Sequence, residues 1–231
     1  MSIQLKRHQG SIFDYNEVEI NSKGLDLVLF HGFGADSDDL LGLLNYMDLS
    51  KVRNAYFPNG IMEANGVPSG RAWFPIDIEA LESAMMTGSH RDLTGDIPEP
   101  LFKLCEEMEN QLLEELNLNP TETIIGGFSQ GAMVSTHIAL YSQHNWRALV
   151  LLSGTYLGKN QWSSQMEIQK NKFPIFQSHG VNDALLSPKD ALSLGKAFKS
   201  SGFNVDFIEF GGGHEIPLNV LKELGSFINT L

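Results

Sequence analysis

The sequence predicts an α/β layered domain, a mostly parallel central sheet with helices on both faces. Three observations predict it. Short apolar runs at 25–30, 52–57, 121–125, 146–152, 173–178 and 204–210 have the length and composition of inner strands. Stretches with helical spacing separate most of them. Glycines follow the runs closely, at Gly32, Gly154, Gly180 and Gly211, where the backbone must turn tightly. Right-handed crossovers then put these strand ends on one edge of the sheet.

Composition narrows the function. The 231 residues suffice for one domain with a well-buried core. The formal net charge of -12 argues against nucleic acid or an anionic membrane surface as the main partner. Cys105 is the one cysteine, so no intrachain disulfide forms, and no Cys/His cluster has metal-ligand spacing. The first residues lack the apolar stretch of a signal peptide, and no apolar run of about 18 residues offers a transmembrane span. A cytoplasmic protein is the default expectation.

Taken in order, residues 3–8 and 12–20 alternate loosely and predict a hairpin, an extension (1–20) ahead of the inner strands. The run 25–30 ends at His31-Gly32-Phe33-Gly34-Ala35-Asp36. Asp36, Ser37 or Asp38 would cap a following helix through about Met47. The strand at 52–57 closes at Pro58-Asn59-Gly60. Periodicity then fails across 61–98, apart from a short helix expected over 78–86. A long irregular piece that still holds aromatics and methionines predicts a lid-like or pocket-wall insertion over the strand ends. Leu101 to Leu116 reads as an amphipathic helix. Met133 to Tyr141 reads as a helix with one buried face, His137 among its packing residues. The stretch 157–172 reads as irregular. Ser187-Pro188-Lys189-Asp190 opens a helix, with Ser187 as N-cap. A closing helix ends near Ile228, with Pro217 inside its first turn.

The chemistry centres on Gly126-Gly127-Phe128-Ser129-Gln130-Gly131. Gly-x-Ser-x-Gly between a strand and a helix is a nucleophile elbow, which holds its serine exposed on a sharp turn. A serine hydroxyl needs a base within hydrogen-bond reach. His214, after the last strand and three glycines, is the best placed. Asp183, after the penultimate strand, would orient the imidazole and stabilise its cation. The order Ser, Asp, His is that of α/β-hydrolases. His31 and His179 also stand at strand ends, but each precedes the expected acid; both read as loop-packing residues. His8, His90, His137 and His144 lack supporting context. The oxyanion needs two backbone N–H donors. Gln130, next to the nucleophile, and Phe33, in the first glycine loop, would supply them. Phe33, Trp73, Phe74, Met85, Met86, Tyr156 and Leu185 would form an apolar acyl site.

These motifs together resemble the phospholipase/carboxylesterase family of small serine hydrolases, which includes cytoplasmic carboxylesterases, acyl-protein thioesterases and small lysophospholipases. The likeness runs from about residue 26 to the end. It is carried by His31-Gly32-Phe33-Gly34 with Asp36, Arg71-Ala72-Trp73-Phe74, the intact elbow, Leu152-Ser153-Gly154, His179-Gly180-Val181-Asn182-Asp183 and Gly211 to His214. The resemblance implies the triad Ser129, Asp183 and His214, oxyanion donors Phe33 and Gln130, and no metal or cofactor. It implies hydrolysis of carboxylic esters of small to medium acyl chains through an acyl-enzyme, by a monomer or homodimer acting on a small-molecule or lipid-like ester. The alternative is an acyl-thioesterase or lysophospholipase acting on longer chains. A lactone or peptide substrate, and a scaffold without turnover, are rival readings. The chain departs from the family pattern in residues 1–20, in Glu79 to Pro98, and in Glu215-Ile216-Pro217 after the histidine.

Overall fold

Inner strands that are apolar on both sides need cover on both sides. The structure, a computed structural model, supplies it around one eight-stranded sheet. It describes residues 4–95 and 97–231; the side chains of Leu81 and Met85 lie outside the described set. The strands are β1 (Gln4–His8), β2 (Tyr15–Glu19), β3 (Leu25–Phe30), β4 (Val52–Pro58), β5 (Met62–Glu63), β6 (Arg71–Ala72), β7 (Thr123–Phe128), β8 (Ala148–Leu152), β9 (Ile175–Gly180) and β10 (Val205–Phe210). The helices are α1 (Ile78–Met86), α2 (Glu99–Glu114), α3 (Gln130–Tyr141), α4 (Lys159–Ile168), α5 (Pro188–Ser200) and α6 (Leu218–Thr230). The sheet order is β1-β2-β4-β3-β7-β8-β9-β10, while β5 and β6 pair separately. From β4 through β10 neighbouring strands are parallel; β1 and β2 add an antiparallel hairpin at one edge.

The period of two along each strand sorts the core into two layers. Val28, Phe30, Ile125, Leu149 and Leu151 face one layer, where α2, α3, α4 and α5 pack. Leu27, Leu29, Ile124, Val150 and Leu152 face the other, closed by α6 and by a 3-10 helix at Leu41–Tyr46. This is the arrangement of an α/β-hydrolase. Helix α3 runs beside the centre of the sheet, and every residue from Gln130 to Leu140 is buried. No described helix is long and apolar enough to cross a membrane.

Some elements differ from the sequence reading, each for a local reason. The helix expected up to Met47 is a 3-10 segment: Gly42 lies in it and no side chain caps it. The Asp36 carboxylate instead accepts the Asp38 N–H at 2.9 Å, shaping the loop. The strand expected from Thr121 begins at Thr123, because Pro120 opens a 3-10 turn capped by Asn119. Residues 159–168 form a helix rather than an irregular piece. Only Trp162 and Met166 of it are buried, four apart, a sparse stripe with few apolar positions to betray it. Pro217 precedes α6 as its N-cap instead of lying inside the first turn. The Ser187 hydroxyl caps α5 as expected, accepting the Asp190 N–H at 3.2 Å.

Candidate active site

The parallel strands bring their carboxyl ends to one edge, where the chain turns from β7 directly into α3. Ser129 stands between β7 and α3 with φ 55° and ψ -116°, a backbone conformation that a non-glycine residue holds only under constraint from its surroundings. Its N–H donates to the Leu152 carbonyl at 2.9 Å and its carbonyl accepts the Ala132 N–H at 3.1 Å. Gly131 crosses so close to β3 that a Cβ there would fall on the Phe30 carbonyl oxygen. Gly127 likewise has no room beside Gly131. The two glycines let strand and helix cross, and the crossing holds the serine in its strained turn.

Two later strand ends complete a hydrogen-bonded chain. His214, beyond β10, places Nε2 2.8 Å from Ser129 Oγ and Nδ1 2.7 Å from Asp183 Oδ2. A carboxylate only accepts, so Nδ1 carries the proton and Nε2 is left to accept the serine hydroxyl. The second Asp183 oxygen accepts the N–H groups of Leu185 and Leu186 at 2.8 and 2.9 Å. Burial alone would push the Asp183 carboxyl up. The His214 imidazole and the two N–H groups outweigh it and hold the carboxyl below its ordinary value. The Phe128 ring packs against the imidazole at 4.8 Å between centroids. Glu215 turns its carboxylate to the Gly213 N–H, and no hydrogen bond joins it to His214 among the described residues.

The other histidines have separate tasks. His31 is buried; its Nδ1 donates to the Gly32 carbonyl and its Nε2 accepts the Gly60 N–H. It thereby ties the first glycine loop to the turn after β4. Burial, the larger effect, lowers its pKa against the opposing pull of the Gly32 carbonyl. His179 Nε2 donates to the Leu186 carbonyl at 3.1 Å and lies 3.3 Å from Asp183 Oδ2, so the carboxylate sits between two imidazoles. His137 is stacked on Tyr141 within the helical layer. His90 is the residue that sequence reasoning passed over. Its Nε2 donates to the Asp183 carbonyl at 2.7 Å, from the end of the irregular stretch. No spacing rule marks such a contact, because its partner lies 93 residues further along the chain.

Phe33 and Gln130 both border the pocket beside Ser129. Among the described residues no carbonyl takes either backbone N–H. The Gln130 side chain has its own role: Oε1 accepts the Trp73 N–H at 3.0 Å and Nε2 donates to the Phe74 carbonyl at 2.7 Å. One buried amide thus fastens the start of the irregular stretch to the elbow.

The pocket at Ser129 has a volume of about 510 Å³. Phe33, Phe74 and Leu185 line it, together with Met133, Leu93 and Leu157. Trp73, Tyr156 and Met86, also expected in the acyl site, are not among its described lining residues. Trp73 is fully buried behind the lining, its Nε1 donating to the His31 carbonyl at 2.8 Å. Tyr156 is buried and its hydroxyl pairs with Ser163 Oγ at 2.6 Å. Met86 points to solvent, 87% exposed, outside the lining. The Met85 side chain lies outside the described set. Both aromatics are held by their polar ends, which turns them into scaffold.

The pattern of sheet, elbow and pocket has known counterparts. The protein is 28% identical over 222 residues to acyl-protein thioesterase 1 of Candida albicans, covering 89% of this chain and 91% of that one. Among solved structures, esterase PE8 superposes with a TM-score of 0.74 at 23% identity, covering 97% of this chain and 99% of the other. Acyl-protein thioesterase 2 of Zea mays gives a TM-score of 0.72 at 20% identity, over 96% and 99% of the two chains. A model of the phospholipase/carboxylesterase family matches residues 19–231. The chain therefore belongs to the phospholipase/carboxylesterase family, a hydrolase of the esterase type built on the α/β-hydrolase fold.

Proposed function

We propose that the protein hydrolyses acyl thioesters or lysophospholipid-type esters of longer acyl chains through Ser129, His214 and Asp183. The observation that carries this is the unbroken chain Ser129 Oγ–His214 Nε2–Asp183 Oδ2, at 2.8 and 2.7 Å, opening on a pocket lined by Phe74, Leu93, Met133 and Leu157. The thioesterase relatives support this reading over that of an esterase for small to medium chains.

The proposed steps use the hydrogen-bonded chain and the two N–H groups beside it. Ser129 attacks the acyl carbon as Nε2 of His214 takes its proton. Asp183 stabilises the imidazolium through Nδ1. The N–H groups of Phe33 and Gln130 hold the oxyanion. The imidazolium then returns the proton to the departing thiol or alcohol, leaving an acyl-serine. Water, deprotonated by the same Nε2, attacks that ester and releases the carboxylic acid and free Ser129.

Stoichiometric labelling by a fluorophosphonate, abolished in Ser129→Ala, is expected. The variant should lose at least about 1,000-fold in kcat, the scale seen when a triad member is removed. An unlabelled wild-type protein would sink the mechanism. A panel of p-nitrophenyl esters from acetyl to palmitoyl, with acyl thioesters and a lysophospholipid, tests the chain length. Rates falling steeply beyond butyl would restore the short-chain esterase.

A further inference from the structure

The far end of the irregular stretch forms part of the pocket wall, and it is pinned at both sides. His90 Nε2 donates to the Asp183 carbonyl at 2.7 Å. Three residues on, the Leu93 carbonyl accepts the Gly158 N–H at 3.1 Å and the Thr94 carbonyl accepts the Lys159 N–H at 3.0 Å. Between these anchors lies Arg91, half-buried on the pocket lining. It is the one lysine or arginine among the described lining residues, in a chain whose net charge is -12. Among the described residues no carboxylate pairs with its guanidinium and no carbonyl accepts from it.

A side chain with five donors, half-buried in the pocket wall and without a partner among the described residues, suits an anion. No described acidic neighbour forms an ion pair with it. The adjacent Asp92 turns its carboxylate back on its own loop, accepting the N–H and Oγ–H of Thr94 at 2.8 and 2.7 Å. Asp39 also borders the pocket. Its carboxyl is pushed up by burial and then by Asp36.

We propose that Arg91 makes the site selective for esters or thioesters that carry an anionic group, a carboxylate, sulfonate or phosphate, near the scissile bond. This rests on the serine-hydrolase reading above. His90 acts with it as a positioning residue: its bond to the Asp183 loop fixes where the guanidinium stands relative to His214. The anion sits on the acyl part or on the leaving group, and the substrate used tells which.

Three esters test this: neutral p-nitrophenyl butyrate, p-nitrophenyl hemisuccinate with the anion on the acyl side, and 4-sulfophenyl butyrate with the anion on the leaving group. The readout is the ratio of kcat/KM for each anionic ester to that for the neutral one, which cancels general damage to the site. In Arg91→Gln one ratio is expected to fall about tenfold, the scale of a lost charged hydrogen bond. Arg91→Lys should keep part of it, Arg91→Glu should lower it further, and added salt should narrow the difference. A fall for the hemisuccinate alone assigns the anion to the acyl side, and a fall for the sulfophenyl ester alone assigns it to the leaving group. Both ratios unchanged in Arg91→Gln and Arg91→Glu would overturn the proposal. Wild type that neither turns over any of the three esters nor is labelled by a fluorophosphonate would instead remove the hydrolase reading on which it stands.

Discussion

Gln130 both borders the pocket and braces the chain beside it. Its backbone N–H borders the pocket, while its side chain satisfies the Trp73 N–H and the Phe74 carbonyl. Replacing it with methionine keeps the length and the backbone but strands two buried polar groups, each costing about 1–3 kcal/mol. Gln130→Met should therefore lower stability by about 3 kcal/mol, seen as a lower urea midpoint at unchanged slope. An unshifted midpoint would show that the amide clamp contributes nothing. At this scale the sequence was most legible where order along the chain carries meaning. Ser129, Asp183 and His214 each follow a recognisable strand, so their convergence could be anticipated. Trp73 and Tyr156 were not separable from pocket residues. An aromatic in a sequence does not reveal whether its polar edge is tied to the fold, and both of these are. His90 and Arg91 gave no signal, since their partners and surroundings are set by chain geometry alone.

Among the elements, the hairpin β1–β2 shows how an addition becomes structural. β2 pairs along β4 from Tyr15 to Glu19, and Val18 is 1% exposed. The loop between the two strands is held by Gln111 of α2, whose Oε1 accepts the N–H groups of Ile12 and Phe13 and whose Nε2 donates to the Phe13 carbonyl. Removing residues 1–20 would bare the ladder edge of β4 and leave the buried amide of Gln111 without partners. An open, apolar strand edge templates association. The shortened chain should elute in size-exclusion chromatography as larger species than the full chain; an unchanged elution profile with native circular dichroism would refute this. Strand positions were well marked because the parallel strands are mostly apolar and glycines follow most of them. The two elements read wrongly, the segment 41–46 and α4, are those with weak burial. Three buried residues, Leu44, Trp162 and Met166, carry both, too few for a hydrophobic period to stand out.

Across the whole molecule, acid acts through histidines that the fold keeps dry. Burial lowers the pKa of His31 and His179, and brings that of His137 from 6.5 down to about 4. The unfolded chain takes up these protons near the ordinary value, and the folded chain does not. Stability therefore falls as pH drops from about 6.5 toward 4, by about 3 kcal/mol for His137 in full. Asp183, held low, adds to the loss at still lower pH. Glu109 and Asp39, both raised chiefly by burial, act in the opposite sense, since the folded form binds their protons first. Comparison with His137→Gln isolates the term: between pH 7 and pH 4 wild type should lose about 3 kcal/mol more than the variant in urea unfolding. Equal losses would mean that the imidazole is protonated inside the fold. The fold class itself was legible from strand–helix alternation, because layering follows from which faces are apolar. The full set of pocket-lining residues was not, because the irregular stretch beside it follows a course set by a few hydrogen bonds rather than by period.

Helix α3 is walled in on every side from Gln130 to Leu140. Its amides can exchange with solvent only when the whole sheet opens, which puts them among the slowest in the molecule. The wall segment 90–94 is tied to the rest of the fold by the hydrogen bonds of His90, Leu93 and Thr94 and is expected to open at lower free energy. The elbow thus belongs to the last part of the protein to melt, and the wall to the first. In mild denaturant the protein would pass through a state that keeps the elbow folded and has lost one wall of the pocket.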